Sequence, residues 1–484
     1  MITRVRGERA GERRRVPRAP RRFPQWDVAI VGAGASGTLT AVHLLRRGGA
    51  RITLIDPSRA GRGVAYSTTD EQHLLNVPAC TMSALEDDPD DFLDWCRGHG
   101  VAAAPEDFLP RRLYGLYLQD LLLRFGEPAC LRVVRERVET LVESPRGDGV
   151  SLTLSGGRVI AADTAVLALG NPPPRPLEGV PLACSAALVH DPWAPGAMRR
   201  AHAARRVVIV GTGLSAVDVA LSVTAANPHA RVSAVSRHGW LPRAHVSGAP
   251  PRRRALSLEP GDSLEQILAV VARELTARPA SWREVVEGLR PHAAGLWQAL
   301  EPRERSRFER ELRPYWEIHR HRLAPAVASR LDELQASARL TVHAGGVRSL
   351  TARSGDRVCV ELVDGLSLDA DLLVNATGPS RVLCGSPNAL LQRLLLSARA
   401  CPDALGIGIA TSPDGALIDR EGHVSQRCFT LGPPRRGELF ESTAIPEIRQ
   451  QAARLARLLS PTSAQRERAS SAIASNAASG FSGS

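Results

Sequence analysis

The alternation of apolar and polar positions divides the chain into strand-like runs and helix-spaced stretches that recur twice in the same order. Residues 27–42 read DVAIVGAGASGTLTAV. Val28–Val31 is an apolar run of strand length, and Gly32, Gly34 and Gly37 punctuate a turn. An apolar stretch with helical spacing then continues to Arg47, where Gly48 and Gly49 stop it. A second strand, Arg51–Ile55, ends at Asp56. Residues 207–219, VVIVGTGLSAVDV, repeat the device with Gly211 and Gly213 in the turn and Ala216 at the third position.

Each unit also has a later counterpart. SLTLSGGRVIAADTAVLALG (151–170) places two strands around a Gly-Gly turn and adds a third apolar strand ending at Gly170. VCVELVDGLSLDADLLVNATG (358–378) does the same around Asp364-Gly365. The prediction is an α/β fold of two Rossmann-like dinucleotide-binding domains, each with a β-meander. Residues 258–340, rich in Glu, Arg, Leu and Ala at helical spacing, read as a helical insertion, preceded by a loop-like stretch at 247–262. The predicted partition is 25–200 with 380–460 for the first domain, 201–257 with 341–379 for the second, and disordered tails at 1–24 and 461–484. A last helix is expected at about Ile445–Leu459.

The turn chemistry separates the two sites. In such a unit the glycines permit the tight turn, the approach of backbone to a pyrophosphate and close helix–strand packing, and the helix N-terminus attracts negative charge. Asp56 lies 24 residues after Gly32, where a carboxylate accepts from a ribose hydroxyl. The same offset from Gly211 reaches Val235, followed by Ser236, Arg237 and His238. A ribose 2′-phosphate would be repelled by an acid and is met by Arg with a hydroxyl nearby. The first site, with Gly32, Gly34, Ser36, Gly37 and Asp56, is therefore expected to hold FAD. The second, with Gly211, Gly213, Ser215, Ser236 and Arg237, is expected to prefer NADPH.

Charge and cysteine content narrow the class further. The formal charge is +12, but residues 1–22 alone carry nine Arg against two Glu and no aromatic residue, which argues against a nucleic-acid surface. Arg13–Arg15 and Arg21-Arg22 look like a twin-arginine signal, yet Trp26-Asp27 and a strand follow where an apolar segment would be needed. Every basic residue is Arg, so Schiff-base chemistry and a P-loop lysine are excluded. No run of about 20 uncharged apolar residues is present, so no membrane span is expected. Eight scattered cysteines without a C-x-x-C pair or metal-ligand spacing fit a cytoplasmic protein with isolated thiols and no metal, and disfavour a redox-disulfide mechanism.

Four ordered segments carry a resemblance: GRGVAYSTTDEQHLLNVPACTMSA (61–84), FLPRRLYGLYL (108–118), LRPYWEIHRHRLAP (312–325) and ELFESTAIPEIR (438–449). With the paired fingerprints and the ALG and ATG strand ends, they resemble the bacterial FAD/NAD(P)-binding protein family. These are two-dinucleotide-binding-domain flavoproteins related to single-chain flavin monooxygenases, and some members carry a urate-hydroxylase-like label. The resemblance implies that Asn76, Val77, Met82 and Ser83 lie along the flavin and that Thr377 and Gly378 cross between domains. In disulfide-reductase relatives the closing strand ends in Gly-Asp, whereas here Leu431-Gly432-Pro433 occupies the place. The helix from Ile445 would aim its N-terminal dipole at the flavin N1/O2 edge.

The resulting expectation is an NADPH-dependent FAD oxidoreductase that hydroxylates a small molecule with O2. The alternatives are electron transfer to another acceptor, or a redox-responsive flavin-binding protein with little turnover. His319 and Arg322, expected on one helix face with Tyr315, are the candidate substrate-proximal pair, against a structural reading as an interdomain salt-bridged face. Arg111, Arg112 and Tyr114 are expected to position the domain, and Trp193 and Trp240 to pack at domain crossings.

Overall fold

The computed structural model of the protein describes residues 26–180, 182–248, 253–277, 282–353 and 357–460. Both expected tails lie outside the described residues. Two sheets form the frame, parallel throughout except for the antiparallel edge strand Ala416–Ile418. The first has six strands, in the spatial order Ala416–Ile418, Val424–Thr430, Thr164–Leu167, Trp26–Val31, Ala50–Ile55 and Leu131–Val134. The second has five, in the order Leu340–Ala344, Arg231–Ser236, Arg206–Val210, Leu372–Asn375 and Leu188–Val189. The central strands are apolar without alternation because both faces are covered, and Ala29, Ile30 and Ile209 are fully buried.

The meanders form as predicted. Val138–Glu143, Val150–Leu154 and Val159–Ala162 make one antiparallel sheet, and Val347–Arg353, Arg357–Leu362 and Ser367–Ala370 make the other. Each returns a strand to its parent sheet, Val166 beside Ile30 and Val374 beside Ile209. The closing strand completes the first sheet, with Phe429 beside Val166.

Two boundaries differ from the predicted partition. Leu188–Val189 pairs in parallel with Leu373-Val374, so the chain enters the second sheet before residue 201. A two-residue strand carries too little pattern to be read locally. The helix Pro325–Ala336 buries Leu331 and Leu334 in the second domain's core, which leaves a shorter insertion, from Leu264 to about Arg320. No described helix is long and apolar enough to cross a membrane.

Candidate functional site

At the first glycine turn the backbone itself demands glycine. Gly32 has φ +101°, and a Cβ there would stand 2.2 Å from the carbonyl oxygen of Ala168. A Cβ on Gly37 would lie 1.9 Å from the oxygen of Gly32, so the helix Ala35–Arg47 packs directly on the turn. Gly34 precedes that helix and no side chain caps it, leaving the first-turn N–H groups directed at the loop. Asp56 closes the site from the second strand: its Oδ2 accepts the Ala33 N–H at 2.8 Å and its Oδ1 the Ser58 N–H at 2.7 Å. Each oxygen keeps lone-pair capacity for a ribose hydroxyl.

The closing strand brings Gly432 to the same place. Gly432 has φ +74°, a Cβ on it would stand 2.7 Å from Ser36 Oγ, and its N–H donates to Gln451 Oε1 at 2.9 Å. The closing helix, Ile445–Leu459, starts behind Ala444 with no side-chain cap. Around its first two turns lie buried polar atoms with no hydrogen-bond partner: Ser442 Oγ, Glu447 Oε2, Arg449 Nε, Gln451 Nε2 and, facing them, Tyr114 Oη. Orphaned buried polar groups cost about 1–3 kcal/mol each, so these atoms suit a polar ligand or ordered water. Together with two uncapped helix N-termini and Asp56, these residues fit FAD, which they would hold between the first glycine turn and the closing helix. Arg449 Nη1 also donates to Ser83 O at 2.8 Å, tying the expected flavin-side segment to this helix. Within that segment Met82 and Ser83 are sealed in the core, Val77 is partly buried against it, and the Asn76 carbonyl accepts from His245 Nε2 at 3.0 Å.

The second turn repeats the steric logic. Gly211 has φ +120° and its Cβ would stand 2.3 Å from Ala376 O, while Gly213 meets nothing and precedes an uncapped helix, Leu214–Ala226. Ser215 lies in the first turn of that helix. Thr212 Oγ1 sits 2.8 Å from Ser236 Oγ and 2.6 Å from Trp240 O, so the turn and the end of the Arg231–Ser236 strand are locked together. Arg237 is exposed and has no ion-pair or hydrogen-bond partner among the described residues, which leaves its guanidinium free for a phosphate. His238 stacks on Trp240 at 4.4 Å, and Trp240 meets Tyr315 at 4.8 Å. The expected packing role of Trp240 is thus played beside the second site.

The crossing residues hold the two sites in fixed relation. Thr377 donates to Asn375 Oδ1 through both its N–H and its hydroxyl, and Asn375 Nδ2 donates to Arg175 O at 2.8 Å, joining the outgoing and returning crossings. Gly378 takes φ +83° in the same turn. Arg111 pairs with Asp218 of the second glycine helix at 2.7 Å, as a domain-positioning residue would. Beside it, buried His73 lies 3.0 Å from Ser222 Oγ of that helix and meets the edge of Trp193 at 5.5 Å. Arg112 instead pairs with Glu71 at the surface.

The pair His319 and Arg322 does not share a helical face, because the helix Arg313–Arg320 ends before Arg322. Arg322 is 2% exposed, donates from Nη2 to Glu287 Oε1 at 3.0 Å and from Nε to the His319 carbonyl at 2.8 Å, and lies over the Trp282 ring. This is the salt-bridged structural arrangement. His319 parts from it. Its ring lines a partly open cavity of about 310 Å³ between the insertion helices and Phe440. Since a carbonyl can only accept, the 2.7 Å contact of His319 Nδ1 with Tyr315 O fixes the ring proton on Nδ1, and Nε2 is left as an acceptor. Burial, with the neighbouring arginines, lowers the His319 pKa and keeps the ring neutral at pH 7.

The glycine-site geometry was legible in the sequence, but several residues were not. Ser442, Glu447 and Gln451 fall in or beside ELFESTAIPEIR, a segment informative only as a resemblance. The cavity had a signal in the apolar stripe Leu264, Ile267, Leu268, Val271 and Leu275, which by spacing alone equals any core-facing stripe.

Fold and sites together define a protein with two dinucleotide-binding domains, one nested in the chain of the other. Residues 29–172 match the profile of the FAD-NAD(P)-binding family. No curated protein matches the chain at significant similarity. Among solved structures, the chain resembles the ornithine N-hydroxylase of Kutzneria sp. 744, with a TM-score of 0.62 and 17% identity over 90% of this chain and 99% of that one. It also resembles the cadaverine monooxygenase of Erwinia amylovora (TM-score 0.61, 14% identity, 90% and 94% covered). A third is cyclohexanone monooxygenase from Rhodococcus sp. Phi1 bound to NADP+ (TM-score 0.54, 17% identity, 92% and 88% covered). At these identities the likeness is one of fold.

Proposed function

We propose that the protein is an NADPH-dependent, FAD-containing monooxygenase that hydroxylates a small molecule. The observation that carries the reading is the first glycine turn, where Gly32, Gly37 and Gly432 meet the uncapped helix Ala35–Arg47 and Asp56, with a second glycine turn of the same geometry at Gly211. FAD, when bound, supplies hydride acceptance and oxygen activation. The chain's own residues do the rest. Gly32, Gly34 and Gly37 admit the pyrophosphate, Asp56 accepts the ribose hydroxyls, and the N-terminus of the Ile445 helix faces the edge where negative charge develops on reduction. Arg237 holds the 2′-phosphate and the Gly211 turn the pyrophosphate of NADPH, while the crossing residues keep the two nucleotides in register. The solved structures that share the fold, two of them N-hydroxylating or amine monooxygenases by name, support the same reading.

A disulfide-directed mechanism has no support from the thiols. All eight cysteines are free, and burial raises the pKa of Cys96 to about 11 and that of Cys428 well above the usual thiol range. The test is anaerobic stopped-flow mixing of the yellow holoprotein with NADPH, followed by aerobic turnover with isotopically labelled oxygen. Bleaching of the flavin and label in a hydroxylated product are expected. Reduction without labelled product under any substrate would instead favour transfer to another acceptor, and no reduction at all would favour a flavin-binding protein with little turnover.

A further inference from the structure

The insertion helices do not close on one another. Leu264–Ala277, Trp282–Leu289, Ala293–Ala299 and Arg313–Arg320 stand around the 310 Å³ cavity, and among the described residues nothing charged lines it. Its walls are aliphatic and indole side chains, with the His319 ring and the Tyr315 ring the polar exceptions. A space of that volume lies at the small end of ligand sites, which run to about 300–1,000 Å³.

Two walls connect this space to the nucleotide sites. Phe440 comes from the segment between Gly432 and the closing helix, inserts its ring against Trp297 at 4.8 Å and against Phe308 at 5.3 Å, and does so from a left-handed backbone, φ +62°. For a bulky residue this conformation persists only where surrounding structure enforces it, and such strain collects at functional sites. The enforcing contacts are present. The next residue, Glu441, pairs with buried Arg320 at 3.0 Å, and the Gly437 carbonyl accepts the Trp297 indole N–H at 2.7 Å. Two residues beyond Phe440 stands the fully buried, unpartnered Ser442 Oγ. On the other side Tyr315 lines the cavity and also packs on Trp240 beside Ser236 and Arg237.

We propose that the helical insertion is the substrate chamber, that it takes an uncharged, largely apolar molecule bearing one hydrogen-bond donor, and that His319 Nε2 accepts from that donor. The proposal rests on the monooxygenase reading for the word substrate, but the binding itself does not. A charged amino acid or diamine would lose its hydration there without gaining a partner, since no carboxylate or guanidinium of the described residues lines the walls. The chamber thus selects against the kind of substrate that the names of the ornithine and cadaverine enzymes state. His319 is a binding residue in this scheme, and Phe440 is the partition between the chamber and the flavin edge.

The experiment is calorimetric titration of the FAD-loaded protein with 2-naphthol, naphthalene and L-ornithine, with NADPH-driven flavin reduction measured on the same preparation. The expected order is 2-naphthol tightest, naphthalene about fivefold to tenfold weaker for want of the hydrogen bond, and no binding of ornithine. In His319→Phe the two aromatic probes should become equal while naphthalene keeps its wild-type affinity, which shows that the chamber is still formed. Leu268→Trp, which fills the space, should weaken both probes at least tenfold. Binding of ornithine in preference to the aromatic probes, no binding of either aromatic probe, or an unchanged naphthol preference in His319→Phe would overturn the proposal. Failure of flavin reduction with probe binding intact would instead overturn the monooxygenase reading and leave the chamber standing.

Discussion

Arg237→Ala isolates the second nucleotide site with little disturbance to the fold. The side chain is exposed at the end of the Arg231–Ser236 strand and has no ion-pair or hydrogen-bond partner among the described residues, so its removal breaks nothing in the apo protein. Surface substitutions of that kind stay within about 0.5 kcal/mol of wild-type stability. A charge-assisted contact to a 2′-phosphate contributes about 1.5–3 kcal/mol, and each 1.4 kcal/mol is tenfold. The loss in kcat/KM for NADPH should therefore be about 10- to 150-fold. NADH lacks the phosphate, and its kcat/KM should change by less than twofold. The assay is anaerobic flavin bleaching at a series of NADPH and NADH concentrations, with the melting temperature as a control. Equal losses for both nucleotides, or an unchanged NADPH constant, would refute the assignment of the phosphate to Arg237. Ser236 is less free, since its hydroxyl lies 2.8 Å from Thr212 Oγ1. Ser236→Ala should therefore cost both binding and stability.

Further outcomes follow from the same geometry. Gly32→Ala places a methyl group 2.2 Å from Ala168 O at a positive φ, and the purified protein should be colourless or lose FAD on gel filtration. Arg322→Met leaves Glu287 to Arg290 and removes the bond to the His319 carbonyl, and should cost about 1–3 kcal/mol in chemical denaturation. Flavin reduction in the folded fraction should nonetheless proceed at the wild-type rate, because Arg322 is structural; a selective loss of reduction would contradict this. Burial lowers the His245 pKa from 6.5 to about 4, so the unfolded chain takes up the proton first and stability falls as pH drops from 6.5 through 4. That group alone should remove about 2 kcal/mol by pH 5, and His245→Gln should show a correspondingly shallower acid limb.

Much of the frame could be read from the chain because parallel strands buried on both faces are short apolar runs, and the first strand of each glycine unit is followed by a turn that only glycine can make. Gly32 and Gly211 carry that information within a few residues. Asp56 and Arg237 were likewise readable, since strand length fixes where the second strand ends. Nonlocal properties were not. Arg322 could be read either as substrate-proximal or as half of a salt bridge, because its partner, Glu287, is 35 residues earlier on another helix. The stripe Leu264 to Leu275 has the spacing of any core helix, and only its neighbours' failure to fill the space makes a chamber of it. The strand Leu188–Val189 has two residues, and its place in the second sheet is set by Leu373 and Val374, far along the chain.

The nesting of one domain inside the other has a consequence for how the protein is made. The strand Thr164–Leu167 pairs on one side with Trp26–Val31 and on the other with Val424–Thr430. On the ribosome its second edge stays bare while the intervening chain is translated. At about 5–20 residues per second that wait is roughly 10–50 s. An apolar edge strand open for that long is a template for pairing with other nascent chains. During the same interval the first glycine turn exists without Gly432 or the closing helix, so the site proposed for FAD is incomplete. Yield of the loaded protein in a heterologous host should therefore follow chaperone supply and flavin availability late in synthesis more closely than transcript level.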